Sequence, residues 1–301
     1  MRESTSEFHA IRGLRYHVRT WGDSSRPVLF LLHGWMDVSA SFQFLVNCFR
    51  REWHVVAPDW RGFGLTERAP AGYWFPDYYA DLDALIDIYG RDTPVDIVGH
   101  SMGGNVSMFY AGARAARVRR LVNLEGFGMP RTQPEQAPAR YAKWMDELKS
   151  LARGEMDLQT YPELSGVARR LMRTNPRLPQ DKADWLATHW AAPTTRADGS
   201  PAWRILGDAA HKIVNANLYR VDEALALYRS IAAPVLAVEA VDGVLKTWKA
   251  RGIEDDMLSR LREVPHIEFV RMEEAGHMMH HDQPARLAEV IEGFLSEGRD
   301  F

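Results

Sequence analysis

The sequence predicts an α/β fold built on a mostly parallel, doubly wound sheet. Three observations predict it. From Pro27 to Glu125, short apolar runs that read as buried strands alternate with helical segments at the length of βαβ units. The same alternation returns at APVLAVEA, from Ala233 onward. Within the first of these stretches, in VDIVGHSMGGNVSMFYAG from Val95 to Gly112, a Gly-x-Ser-x-Gly turn stands directly between a strand signal and a helix signal.

In chain order, FHAIRGLRYHVRTWG (8–22) alternates apolar and polar residues around Gly13, which suits an opening hairpin. PVLFLLHGW (27–35) is a continuous apolar run, the mark of a strand covered on both faces. SFQFLVNCFRR (41–51) has helical spacing, and WHVVAPDWRGFGLTE (53–67) reads as a short buried strand followed by a glycine-rich loop. Residues 76–90 read as an amphipathic helix starting near Asp77, with Tyr79, Leu82, Leu85 and Ile86 on one face. After the serine turn and its helix, VRRLVNLEGF (118–127) is another strand.

The pattern then changes. Residues 128–230 carry helical periodicity with many Pro and Trp and no convincing strand, so they are expected to be a helical cap inserted into a core of 1–127 and 231–301. The core resumes with APVLAVEA as a strand, DDMLSRLREVP as a helix, HIEFVRME as a strand and PARLAEVIEGFLSEG (284–298) as the closing helix. The chain carries no internal repeat and no low-complexity segment.

Composition narrows the function classes. A net charge of -3 over 301 residues, with arginines interleaved among carboxylates, points to neither nucleic acid nor an anionic membrane. The single cysteine, Cys48, has no partner for a disulfide or a thiolate metal site. The opening MRESTSEFHAIRG lacks an apolar signal region and no run reaches transmembrane length, so a cytoplasmic protein with no membrane span is expected. The oligomeric state is left open.

Chemistry converges on Ser101. At a sharp strand-to-helix turn its hydroxyl would project at the positive end of the following helix. A serine hydroxyl is a poor nucleophile near neutral pH and needs a base, an acid behind the base, and donors for the oxyanion. His277, in EEAGHMMHHDQP after the last strand, is the expected base, because that loop falls at the carboxyl edge of the sheet where Ser101 also falls. His280 and His281 compete, but Asp282 and Pro284 draw them towards the next helix. Asp242, in the loop after APVLAVEA, is the expected acid, and Glu125, at the end of VRRLVNLEG, is the alternative. The backbone amides of Met102 and of Trp35, in HGWMD, are the expected oxyanion donors. His33, Gly34, His100, Phe127 and Trp144 are the expected substrate contacts, and Trp185, Trp190 and Trp203 are expected to pack the cap. Three histidines and Asp282 from one segment, with no second cluster, are not read as a metal site, and no cofactor is expected. The His-x4-Asp spacing of His277 and Asp282 is treated as coincidence beside the serine turn.

LLHGW (31–35), DWRGFGLTE (59–67), GHSMGG (99–104), PVLAVEAVD (234–242) and AGHMMHHDQP (275–284) together resemble the α/β-hydrolase superfamily. The resemblance implies an eight-stranded sheet with a helical cap after strand six, and Ser101, His277 and an acid as a triad. HGWMD with the SF that follows is similar to the serine hydrolase-like and epoxide-hydrolase-like branch. Dehalogenase and epoxide hydrolase members carry aspartate at the turn; Ser101 in its place favours acyl transfer over alkyl displacement. Many relatives have Gly-x-x-Asp after strand seven, where this chain has Glu239, Ala240, Val241 and Asp242, and some draw their acid from the end of strand six. The resemblance therefore implies a serine hydrolase acting on a small, moderately apolar carboxylic ester or acyl substrate. A C–C bond hydrolase, a lactonase, a cofactor-free perhydrolase and a non-turnover ligand receptor are the alternatives.

Overall fold

The computed structural model describes residues 1–296. The opening hairpin is β1 (Ser4–Ile11) and β2 (Leu14–Trp21). Alternation follows as β3 (Val28–Leu32), α1 (Gln43–Cys48), β4 (His54–Pro58), α2 (Phe75–Tyr89), β5 (Val95–His100), α3 (Met102–Ala113) and β6 (Val118–Leu124). The next stretch holds α4 (Ala137–Ala152), β7 (Thr160–Tyr161), α5 (Leu164–Thr174), α6 (Gln180–Trp190), β8 (Ala191–Thr195), β9 (Pro201–Ile205) and α7 (Val221–Arg229). The chain then returns with β10 (Val235–Asp242), α8 (Val244–Lys249), α9 (Glu254–Leu261), β11 (Ile267–Gly276), α10 (Met279–Asp282) and α11 (Pro284–Ser296). Residues 297–298 of the expected closing helix lie outside the described residues.

The main sheet has eight strands in the order β1-β2-β4-β3-β5-β6-β10-β11. From β4 to β11 every neighbouring pair is parallel, and only the β1–β2 and β2–β4 pairs are antiparallel. Period-two alternation explains why the strand runs are apolar throughout. On β3, Phe30 and Leu32 join one core with Leu82, Leu85 and Val106 of α2 and α3, while Leu29 and Leu31 join another with Leu45, Leu287 and Ile291 of α1 and α11. Each such fully buried side chain contributes roughly 1.5–3 kcal/mol. The carboxyl ends of β3, β5, β6 and β10 consequently open at one edge, where loops can meet.

Two features of the inserted stretch differ from expectation. Residues 128–230 are not purely helical, for β7, β9 and β8 form a three-stranded antiparallel sheet. Pro193 and the Asp198–Pro201 turn read as loop in sequence, and the short β8 buries only Ala191 fully, so no strand period was visible. This sheet and α5 and α6 share a third apolar core with Val167, Leu171, Leu186 and Trp190. In addition, α7 packs on α3 of the main sheet, with Phe109 and Tyr228 edge to face at 5.9 Å, so the last helix before residue 230 belongs to the core. Among the described residues no helix is long and apolar enough to cross a membrane.

Candidate active site

Ser101 occupies the turn between β5 and α3 with φ 53° and ψ -113°, a strained conformation for a residue with a side chain. The turn is held because Ser101 N–H donates to the Leu124 carbonyl at 2.8 Å and the Ser101 carbonyl accepts from Asn105 N–H at 3.0 Å. Close approach dictates its glycines. A Cβ on Gly103 would lie 2.1 Å from the Leu32 carbonyl oxygen, so only glycine lets α3 start this near β3.

Three loops bring partners to this hydroxyl. Ser101 Oγ lies 3.1 Å from Nε2 of His277, which follows β11 directly. His277 Nδ1 lies 3.2 Å from Glu125 Oε2. The Glu125 side chain is fully buried, and its carboxylate also accepts from Ala240 N–H at 2.9 Å and Val244 N–H at 2.7 Å. A buried carboxylate held by donors on three sides accepts the Nδ1 proton, which leaves Nε2 to accept from the Ser101 hydroxyl.

The acid site corrects the primary sequence expectation. Asp242 does not meet His277. It stands at the end of β10, partly exposed, and its carboxylate pairs with Arg177 of the inserted stretch and, at 2.7 Å, with Lys246. Those two cations hold its carboxyl below the usual carboxylate range. Its place behind the histidine is filled by Glu125, whose backbone has φ 58°. That left-handed step turns the side chain from the end of β6 towards His277. Asn123 clamps the step, its Oδ1 accepting from Gly126 N–H at 2.9 Å and its Nδ2 donating to the Gly126 carbonyl at 2.8 Å. Asn123 went unnoticed in the sequence, where a polar residue two positions before an acid carries no distinctive signal.

The loop after β3 is equally fixed. His33 is buried, accepts from Trp60 N–H on Nε2 at 2.9 Å, and receives the Trp60 indole N–H on its carbonyl at 2.9 Å. Trp35 on this loop and Met102 at the first position of α3 both line a cavity of about 510 Å³. Of the expected substrate contacts, only Trp144 lines this cavity. His33, Gly34, His100 and Phe127 do not line it. His33 serves the loop, Gly34 is buried against Ser101 and His100, the His100 ring donates from Nε2 to the His277 carbonyl at 2.7 Å, and Phe127 is buried in the core against Trp248. Burial keeps His33 neutral, with its pKa lowered to about 4. Trp185, Trp190 and Trp203 pack in the apolar core of the inserted stretch. Further walls come from Tyr73 and Trp74 in the loop before α2, from Phe75 at its first position, and from Leu148, His211 and Ile213 opposite. The aromatic run at 73–75, where the loop enters α2, is the signal that could have revealed them.

A strained strand-to-helix turn carrying a half-buried serine, a histidine after the last strand and a carboxylate after the sixth, all at one edge of a parallel sheet, define a hydrolase of the α/β class. The chain belongs to the alpha/beta hydrolase fold family, whose sequence profile matches residues 27–284. It is 29% identical to the serine hydrolase-like protein of Danio rerio, covering 98% of this chain and 90% of that protein. It is 27% identical to the 2-(acetamidomethylene)succinate hydrolase of Mesorhizobium japonicum, covering 90% and 88%. Among solved structures, a hypothetical protein from Pseudomonas aeruginosa PAO1 superposes with a TM-score of 0.84 at 26% identity, covering 97% of this chain and 99% of that one.

Proposed function

We propose that this hydrolase cleaves a carboxylic ester or related acyl substrate through an acyl-enzyme on Ser101, with His277 as general base and Glu125 as the acid that orients it. The observation carrying this reading is the continuous hydrogen-bonded line from Ser101 Oγ through His277 to Glu125, at 3.1 and 3.2 Å. As Ser101 Oγ attacks the acyl carbon, its proton passes to His277 Nε2, and the buried carboxylate stabilises the imidazolium. The oxyanion is held by the amides of Trp35, on the loop after β3, and of Met102, at the start of α3. His277 then gives its proton to the leaving alcohol, and a water molecule activated by the same histidine releases the acid.

A serine at the turn supports acyl chemistry over alkyl displacement, because an ester of a serine hydroxyl is hydrolysed far more readily than an ether. The aromatic and aliphatic walls of the 510 Å³ cavity, with residues 128–220 as the cap over it, support a small, moderately apolar substrate. Water and the Ser–His–Glu line supply every group the reaction needs, so no cofactor enters the scheme.

Hydrolysis of p-nitrophenyl acyl esters by wild type and Ser101→Ala tests the reading. Activity that disappears in the variant, together with fluorophosphonate labelling of wild type alone, is the expected result; an active Ser101→Ala protein would overturn it. Multiple turnovers per chain separate an enzyme from a ligand receptor on the same fold.

A further inference from the structure

Behind the catalytic line lies a second cluster of polar side chains that hydrolysis does not use. Asp37, on the loop after β3, His100, on the last residue of β5, and His280, in α10, are all buried. One donor atom of each lies within 4.8 Å of the other two. Asp37 Oδ2 faces His280 Nε2 at 3.9 Å, and the rings of His100 and His280 meet edge to face at 4.6 Å.

What singles the cluster out is how many of its atoms have no partner. Asp37 Oδ2, His100 Nδ1 and both ring nitrogens of His280 are buried without a hydrogen bond. Native interiors rarely leave one such atom, and several at one point call for a bound species. The bonds that do exist prepare the cluster for a particular species. His100 donates its Nε2 proton to the His277 carbonyl, so Nδ1 carries the lone pair. Asp37 Oδ1 accepts from Val38 N–H at 2.8 Å and from the Ser41 hydroxyl, which orients Oδ2 inward. A backbone carbonyl behind a histidine and hydrogen bonds behind a carboxylate are the outer partners that metal ligands carry. A water that donates to Asp37 Oδ2 and His100 Nδ1 and accepts the ring proton of His280 would fill the same point, but only a cation also offsets the charge of the buried carboxylate.

We propose that Asp37, His100 and His280 form a buried site for a divalent transition-metal ion, with Zn²⁺ the best match to two imidazoles and one carboxylate. Mg²⁺ and Ca²⁺, which take oxygen ligands, fit this donor set poorly. Bonds of about 2.1 Å hold tetrahedral donors about 3.4 Å apart, so the ion would draw Asp37 Oδ2 and His280 Nε2, now 3.9 Å apart, together by about half an ångström. Sequence spacing could not reveal the site: the segment carrying His280 has no second cluster nearby in the chain, and folding supplies it from Asp37 and His100. An ion here would tie together the loop after β3, the end of β5 and the loop that carries His277.

The test is metal binding by the chelator-stripped full chain, read by elemental analysis after dialysis against micromolar Zn²⁺ and by the visible absorption of bound Co²⁺. The expected result is about one ion per chain with a four- or five-coordinate Co²⁺ spectrum, and affinity reduced roughly tenfold or more in Asp37→Asn and His280→Phe. Wild type that stays metal-free would overturn the proposal and assign the cluster to water. Undiminished binding in folded His280→Phe would overturn it as well, because the ion would then sit elsewhere. If either variant fails to fold, the wild-type stoichiometry and spectrum still decide.

Discussion

Glu125 and His277, 152 residues apart in the chain, meet at 3.2 Å with the carboxylate on Nδ1, while Asp242, one strand over, is spent on Arg177 and Lys246. The two acids therefore predict opposite results. Glu125→Gln keeps the shape but loses the charge that favours the imidazolium and the correct tautomer, and kcat is expected to fall on the order of 10⁴-fold. Asp242→Asn is expected to stay within about twofold in kcat, since it breaks only a partly exposed pairing to the inserted stretch. Steady-state kinetics on one aryl ester decide between them. The reverse outcome would return the acid to Asp242.

Gly243 supports Glu125 by having no side chain. A Cβ there would lie 2.3 Å from Glu125 Oε2, although its φ of -82° suits any residue, so the conflict is purely one of space. Gly243→Ala is expected to push Glu125 off His277 and to cost about 1–3 kcal/mol of stability. In a Glu125→Ala background the vacated space accepts the methyl group, and the stability cost is expected to shrink to less than half. A double-mutant cycle by chemical denaturation measures this; additive costs would mean that Gly243 acts through something other than Glu125.

These two positions also explain which parts of the site were legible in the sequence. Ser101 and His277 were, because each is marked by its immediate neighbours: glycines around a strand-to-helix turn, and a glycine after a terminal strand. The acid was not. Glu125 reaches His277 through a left-handed backbone step and an Asn123 clamp, neither of which leaves a pattern in the chain. His33 and His100 misled for a related reason. They adjoin the chemistry in sequence, but strand alternation and loop packing turn their rings into the interior. The parallel sheet was readable from its continuous apolar runs, whereas the small β7-β9-β8 sheet, with its half-exposed strands, had no such run.

His211 couples the inserted stretch to pH. Its ring is stacked between Phe63 at 3.8 Å and Tyr73 at 3.6 Å, and Nε2 donates to the Arg61 carbonyl. Burial lowers its pKa from 6.5 to about 3. Between those values the unfolded chain binds the proton and the folded chain does not, so stability rises with pH there. The contribution is fully present above pH 6.5 and is lost progressively as pH falls towards 3. His211→Phe keeps a ring in the stack but cannot titrate. Its denaturation free energy is expected to fall less steeply than that of wild type over this window, and parallel slopes would remove His211 from the acid response.

Trp144 and Leu148 line the cavity from α4, a helix of which none of the sixteen residues is buried. Its apolar side chains Tyr141, Met145 and Leu148 are instead substantially exposed. A helix with so little buried apolar surface draws little stability from packing and sits at the low end of the local unfolding scale. By contrast α3, which carries Ser101 at its start, buries eight of its twelve residues. Amide hydrogen exchange is therefore expected to run at least about 100-fold faster in α4 than in α3, a difference of a few kcal/mol in opening free energy. Filling the cavity should change this selectively. A fluorophosphonate with a long alkyl arm, once bonded to Ser101, gives Trp144 and Leu148 an apolar surface to cover, and exchange in α4 is expected to slow while that in α3 stays the same. A short-armed probe, which labels Ser101 without reaching α4, serves as the control. Equal protection by both probes would mean that α4 does not close over the substrate.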